Sequence, residues 1–173
     1  RLFGIPFMTS PMEAESQCAH LYQAKMVDGI ITDDSDVFLF GGDAVYKNLF
    51  NAKKYIEKFN MADLFSKMKL KRHHLIQLAY LLGSDYTPGL KGIGPVSGVE
   101  IVTNWASEDL SGLSNFKFWV LNLQAGFSNP DDSPIQKKLV TIFVFSLIID
   151  RGTFVKNWKF QKIFLILQFL KAT

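Results

Sequence analysis

The strand-like segment Val27-Asp28-Gly29-Ile30-Ile31, with Ile30 and Ile31 at its centre, passes without a spacer into Thr32-Asp33-Asp34-Ser35-Asp36. That junction restricts the fold more than any other part of the chain. A short strand centred on Ile30 and Ile31 must be buried to be stable. The carboxylates of Asp33, Asp34 and Asp36 cannot follow it into a core unpaired. The strand therefore stops at Ile31, with the acids beyond its carboxyl end, which is where α/β sheets place their ligand sites. In extended geometry Asp34 and Asp36 point the same way.

The flanking sequence supplies the remaining elements. Phe3 to Met8 is predicted as a short buried strand. Ser10-Pro11-Met12-Glu13 has the form of a helix start, with Ser as N-cap, Pro at the first helical position and Glu at the third. That helix is expected to run to about Lys25. Val37 to Phe40 is apolar and closes at Gly41-Gly42. Val45-Tyr46 and Tyr55 to Phe59 read as strands, the latter alternating Tyr55, Glu57 and Phe59 against Ile56 and Lys58. Asn60 is expected to cap a helix through about Lys69. Further helices are predicted from Arg72 to Leu82, stopping at Gly83, from Pro95 to Trp105, and from Phe116 to Leu123. Alternating strands and helices imply an α/β layered fold with a largely parallel sheet.

Composition narrows the class. The chain has 173 residues, 48% of them hydrophobic, enough for a packed core. Its single cysteine, Cys18, allows neither an internal disulfide nor a cysteine-built zinc site and suits a reducing compartment. The chain opens on Arg1 without a signal peptide, so it is expected to begin within a longer protein. The formal charge is only +3, but its distribution is uneven. Between Lys47 and His74, eight lysines and arginines stand against Glu57 and Asp63, a local net of +6. This strip is either a solvated face or an extension of a polyanion path. Val140 to Ile149 and Ile163 to Leu170 are apolar, but each is shorter than the roughly 20 residues a membrane span needs. They read as buried segments, and no membrane association is predicted.

Six acids fall at the ends of core elements: Glu13, Glu15, Asp33, Asp34, Asp36 and Asp85. Clustered carboxylates suit magnesium, a hard ion that takes oxygen ligands. Two such ions can neutralise the charge of a phosphodiester under hydrolysis. Each acid also has a structural reading. Glu13 could complete a capping box, Asp33 to Asp36 could be a solvated turn, and Asp85 could be a turn former after Gly83. Glu13 and Glu15 diverge by about 200° on a continuous helix and share one site only near a helix end. His20, His73 and His74 show no ligand spacing. Trp105, Trp119 and Trp158 read as packing residues, and Tyr86 is open to either role.

Four motifs in order then carry a resemblance. They are Pro11-Met12-Glu13-Ala14-Glu15-Ser16-Gln17-Cys18-Ala19, Ile31-Thr32-Asp33-Asp34-Ser35-Asp36-Val37-Phe38-Leu39-Phe40-Gly41, Leu82-Gly83-Ser84-Asp85-Tyr86-Thr87 and Gly92-Ile93-Gly94-Pro95. Together they resemble the flap-endonuclease superfamily. Met12, the Asp-Asp-Ser-Asp run and Val45-Tyr46-Lys47-Asn48 favour its xeroderma pigmentosum group G (XPG) excision-repair branch. The match covers about Arg1 to Trp119, and more loosely extends to Leu139. The resemblance implies a PIN-like α/β core over residues 1–82 and a helix–two-turn–helix element with following helices over 83–139; the apolar tail over 140–173, of unknown role, departs from the family. It implies a nuclear, Mg²⁺-dependent endonuclease of nucleotide excision repair that cuts DNA at duplex/single-strand junctions. Glu13, Glu15, Asp34, Asp36 and Asp85 would be ligands of two Mg²⁺ ions, with Asp33 ranked lower. It further implies an amino-terminal nuclease region, carrying two more aspartates, as a required partner. Without that region the chain alone is expected to bind metal poorly and not to cut. Excision-repair proteins are further expected partners. A replicative flap endonuclease, a junction resolvase and a non-catalytic junction-binding module are the alternatives.

The glycines from Gly83 to Gly98 mark the expected DNA grip. Glycine lets backbone N–H groups approach phosphate oxygens, and a helix N-terminus favours an anion. Lys91, Gly92, Ile93, Gly94 and Pro95 are the candidate DNA-binding residues. The resemblance adds a K⁺ ion held by the backbone near Gly89 and Ile93.

Overall fold

The computed structural model describes residues 3–50, 55–127 and 131–141. They fall into two compact units, one ending at Arg72 and one beginning at His73.

The first unit is built on a three-stranded sheet ordered β1 (Ile30–Ile31), β2 (Ala44–Lys47) and β3 (Glu57–Asn60). β1 is parallel to β2, with Ile30 opposite Val45 and Ile31 opposite Tyr46. β3 returns antiparallel, setting Val45 against Phe59 and Tyr46 against Lys58. The sheet is therefore mixed, not largely parallel. The short link from Lys47 to Glu57 leaves no room for the crossover helix that a parallel return needs. Helix α1 (Ala14–Gln23) touches β1 and a 3-10 turn at Asp36–Phe38. Ala19, Ile30, Val37, Phe38, Phe40 and Val45 are the buried apolar residues of this region. Elsewhere in the unit Asp28, Gly29, Ile31, Tyr46, Leu49 and Ile56 line an open groove of about 280 Å³.

Three expectations for this unit need correction. Residues 4–10 are irregular, not a buried strand, and Phe3, Ile5, Phe7 and Met8 are exposed. Among the described residues no strand pairs with this run, so it gains neither a hydrogen-bond ladder nor a covered face. The strand predicted from Val27 shrinks to Ile30–Ile31, because Val27 and Asp28 lie exposed beyond the reach of β2. The first helix starts at Ala14 rather than at Pro11. It ends at Gln23 with left-handed Lys25 (φ 58°), whose N–H reaches Tyr22 O while Met26 N–H reaches Leu21 O. This is the Schellman pattern with lysine in place of glycine.

Helix α2 (Met61–Met68) follows β3 and closes at left-handed Lys69. Asn60 occupies its N-cap position as predicted but makes no side-chain cap bond. The carboxylate of Asp43 accepts the Met61 N–H instead, at 2.7 Å.

The second unit is helical. Helix α3 (Arg72–Leu82) starts at the unit boundary, and α4 (Pro95–Asn104) and α5 (Ser111–Gln124) follow it. Residues 134–141 are also helical. α3 and α4 match their predicted ranges closely. α5 starts ahead of the predicted Phe116 because polar groups cap its first turn: Asp109 Oδ1 accepts the Ser111 N–H at 2.8 Å and Ser107 Oγ accepts the Gly112 N–H at 2.9 Å. Those bonds, the Ser111 side chain foremost, hold the Asp109 carboxyl below its ordinary pKa. Leu81, Ile101, Leu113, Phe116 and Leu139 are almost wholly buried. The ring of Phe116 lies 5.1 Å from Trp105 and 6.2 Å from Trp119, so both tryptophans pack as expected. Buried Gln77 donates to Ser107 O at 3.0 Å and to Asp109 O at 2.6 Å, tying α3 to the loop before α5.

No described helix is long and apolar enough to cross a membrane. Trp158 and the predicted tail segments beyond residue 141 lie outside the described residues.

Candidate metal centre and nucleic-acid interface

Glu13 sits at the N-cap position of α1 with extended backbone (φ −74°, ψ 131°), and its side chain makes no cap bond. The capping-box reading of Glu13 therefore does not hold. The preceding turn is closed by Ser10, whose hydroxyl donates to Glu13 O at 2.8 Å and accepts the Met12 N–H at 3.3 Å. Glu15 lies in the first helical turn and is half-buried. A carboxylate is favoured there by the unpaired N–H groups of the helix start. Because Glu13 precedes the helix proper, the divergence of an i,i+2 helical pair does not apply to these two acids. One face of this turn also carries Cys18, whose thiol pKa is pushed up by burial and then by the Glu15 charge.

The second acidic motif leaves the sheet as a sequence of side-chain turns. Thr32 N–H completes the ladder to Tyr46 O at 3.2 Å. Thr32 Oγ1 then accepts the Asp34 N–H at 3.1 Å, and Asp34 Oδ1 accepts the Asp36 N–H at 2.9 Å. Asp36 opens the 3-10 turn, which drives Val37 and Phe38 into the core. The extended path assumed for Asp34 and Asp36 is thus replaced by a turn, because the Asp34 carboxylate finds a nearer donor in the backbone. Asp33 is used differently. Its Oδ1 accepts the N–H of Asn48 at 2.7 Å and holds that residue at φ 64°.

In the second unit, Asp85 and Tyr86 form the tip of a tight turn closed by Ser84 and Thr87. Ser84 N–H donates to Thr87 O at 2.8 Å, and Thr87 N–H returns to Ser84 O at 3.1 Å. Asp85 is exposed. A second turn at residues 91–92 leads to α4, with Gly94 at the N-cap and Pro95 in the first helical turn. Gly92 needs its positive φ of 87°. Gly94 does not: its φ is −97°, and a Cβ there would meet nothing within 4 Å. Neither backbone conformation nor internal packing demands glycine at 94, although glycine is favoured over alanine at an N-cap. Lys91, Gly92, Gly94 and Pro95 are exposed, while the Ile93 side chain is buried.

Among the described residues no three His, Cys, Asp or Glu side chains converge on one point. The donor set nevertheless fits a hard divalent ion, since every candidate offers carboxylate oxygen and Glu13, Asp34 and Asp85 are open to water. The basic strip is partly occupied locally. Lys58 lies over the Tyr46 ring at 5.5 Å, and Lys69 and Lys71 lie over Phe65, each at 5.8 Å. His73 and His74 contact each other, with ring centroids 4.1 Å apart. Sequence reading missed Gln23 and Asp43, and it saw Arg72 only as one charge in a strip. A partner fixed by tertiary contact leaves no periodicity to read.

The first unit carries acids at a strand end and at a helix start, and the second carries a glycine-punctuated turn between α3 and α4; solved flap nucleases share this fold. The solved catalytic core of Rad2 in complex with DNA substrate superimposes with a TM-score of 0.72 at 48% identity, covering 83% of this chain and 43% of that one. Residues 4–85 match the XPG I-region. The chain is 50% identical over 143 residues to the DNA repair protein RAD2 of Saccharomyces cerevisiae and 45% identical over 142 residues to the DNA excision repair protein ERCC-5 of Mus musculus. Each alignment covers 80% of this chain, which spans only 13% of the yeast protein and 12% of the mouse protein.

Proposed function

We propose that this chain is the metal-binding and DNA-gripping region of a structure-specific DNA endonuclease acting in the nucleus in nucleotide excision repair. The observation that carries the proposal is the pair of acidic motifs with no structural duty for Glu13, followed by a turn whose Gly94 is left open to an outside group. Similarity to RAD2 and ERCC-5, named as repair proteins, supports the repair assignment. The Rad2 core solved with a DNA substrate supports DNA as the ligand. Duplex/single-strand junctions are the proposed substrate, and an amino-terminal nuclease region and excision-repair proteins the proposed partners.

Glu13, Glu15, Asp34, Asp36 and Asp85 would hold two Mg²⁺ ions. When bound, these supply Lewis-acid neutralisation of the phosphodiester and activation of water. The chain's own residues position and exclude. The turn at Asp34–Phe38 presents its carboxylates from a rigid base, and the N–H groups at the start of α4, with Lys91, bind backbone phosphate without reading bases. A K⁺ ion near the Gly89 and Ile93 carbonyls is part of the same proposal and is read as K⁺-dependent DNA binding. A second reading, a non-catalytic junction-binding module, is favoured by the exposed glycine turn before α4, which needs no metal to meet a phosphate.

The test supplies the amino-terminal region of the yeast relative in trans and follows cutting of a labelled junction in Mg²⁺, with binding measured in Ca²⁺. The chain alone is expected to bind junctions, to bind metal weakly and not to cut. With the added region it is expected to cut, and Asp34→Ala should abolish cutting while sparing binding. Binding without cutting in the supplemented mixture selects the module instead. Cutting by the Asp34→Ala variant removes Asp34 from the site.

A further inference from the structure

The acidic turn is held from its far end. Within the segment from Asp36 to Gly42 the backbone partners can be followed one by one. Leu39 and Phe40 N–H groups donate to Asp36 O at 2.8 and 3.3 Å, Gly41 N–H to Phe38 O at 3.2 Å, and Gly42 N–H to Val37 O at 2.9 Å. The carbonyls of Asp36, Val37 and Phe38 are thereby satisfied from inside the turn. The next three carbonyls, of Leu39, Phe40 and Gly41, are the orphan acceptors that any helical turn leaves at its end.

Two side chains distant in sequence take all three. Arg72 Nε donates to Leu39 O at 2.7 Å. Gln23 Nε2 donates to Phe40 O at 3.1 Å and to Gly41 O at 3.3 Å. Gly41 is left-handed at φ 95°, and a Cβ there would overlap Gln23 Nε2 and lie 3.6 Å from the Arg72 guanidinium carbon. A side chain at 41 would strain the left-handed backbone and push the Gln23 amide from its place. Arg72 is held there against its own hydration: one terminal nitrogen of its guanidinium is buried and finds no acceptor among the described residues. Burial also pulls its pKa down. A cation serving only as a surface charge would point outward.

We infer that Arg72 and Gln23 are positioning residues for the acidic site: they clamp the carboxyl end of the turn whose amino end carries Asp34 and Asp36. The two ends form one mechanical unit, because Asp34 Oδ1 closes the front of the turn on the Asp36 N–H. Gln23 extends the device, since it is the last residue of α1, the helix whose first turn bears Glu13 and Glu15. One helix thus presents two acids at its start and grips the other acidic motif at its end. The inference rests on the metal-site reading proposed above.

The test uses the 173-residue chain and two measurements on Arg72→Met, Arg72→Lys and Gln23→Leu. Amide hydrogen exchange is followed at Leu39, Phe40, Gly41 and Gly42. The clamp predicts exchange at least tenfold faster at these amides in Arg72→Met and Gln23→Leu, with α4 and α5 unchanged and Arg72→Lys close to wild type. Acceleration spread evenly over the chain would mean a general loss of stability and would overturn the clamp. The second measurement titrates Mn²⁺ in the millimolar range and follows paramagnetic broadening of the Asp34 and Asp36 amides. Positioning predicts that half-broadening needs at least fivefold more Mn²⁺ in Arg72→Met, with recovery in Arg72→Lys. Removing a positive charge has the opposite effect by electrostatics alone, so tighter Mn²⁺ binding in Arg72→Met refutes positioning. Gln23→Leu changes no charge and should weaken binding in the same direction as Arg72→Met. Broadening absent from these amides in the wild type would overturn the metal reading and the role of the clamp with it, even with its exchange protection intact.

Discussion

Replacing Gly94 with alanine separates what the fold needs from what a ligand needs. The residue has φ −97° and ψ 177°, extended backbone that any amino acid adopts, and its missing Cβ would meet no atom within 4 Å. The only structural cost is the N-cap preference for glycine over alanine, below about 1 kcal/mol. The added methyl group would nevertheless stand at the start of α4, where the proposed DNA phosphate would approach the backbone. Loss of one good phosphate contact, about 1.4 kcal/mol, weakens binding roughly tenfold. Gly112→Ala provides the reverse control, because its Cβ would collide with the Trp105 carbonyl and lie 2.7 Å from Ser107 Oγ. Such overpacking costs about 1–3 kcal/mol of stability. Junction-DNA binding by fluorescence anisotropy in Ca²⁺, paired with urea unfolding, reads both quantities. Gly94→Ala should lose affinity at nearly unchanged stability, and Gly112→Ala should lose stability at nearly unchanged affinity while folded. A Gly94→Ala protein with wild-type affinity would refute the phosphate-approach argument.

Three further outcomes follow from the same structure. Lys91→Ala should weaken binding to all DNA sequences alike and lower the slope of log affinity against log salt by about 1, measured between low and physiological salt. Phe116→Ala empties the centre of the Trp105–Trp119 cluster, where Phe116 is 1% exposed; it should cost about 3–5 kcal/mol in denaturant unfolding. Burial pushes the Tyr80 hydroxyl up to about 12. A phenol whose folded pKa lies above its unfolded value near 10 stabilises the fold fully below about pH 10 and loses that contribution as pH rises toward about 12. Spectrophotometric titration should therefore show a late-ionising tyrosine that disappears in Tyr80→Phe, and that variant should be less sensitive to alkaline unfolding over the same interval.

Local chemistry was legible in the residues themselves. The α3 and α4 ranges follow from apolar period, a stopping glycine and a leading proline, all of which act within a few residues of where they stand. The halt at Ile31 follows because charge cannot be buried unpaired, whatever the rest of the fold does. The resemblance carried by the four motifs agrees with the XPG I-region match, which takes in the first two and reaches Asp85 of the third. Features that depend on distant partners were not legible. Phe3 to Met8 has the composition of a strand but lacks a pairing strand among the described residues, and β3 runs antiparallel because of its link, not its pattern. Asn60 has the right chemistry for a cap, yet Asp43 takes the bond because the fold brings it nearer. Gln23 and Arg72 reach the Leu39, Phe40 and Gly41 carbonyls only after α1, the sheet and the start of α3 are in place. Sequence determines which groups prefer water, turns or burial. Only the tertiary structure decides which donor meets which acceptor, because a hydrogen bond depends on distances of a few tenths of an ångström between atoms the chain holds far apart.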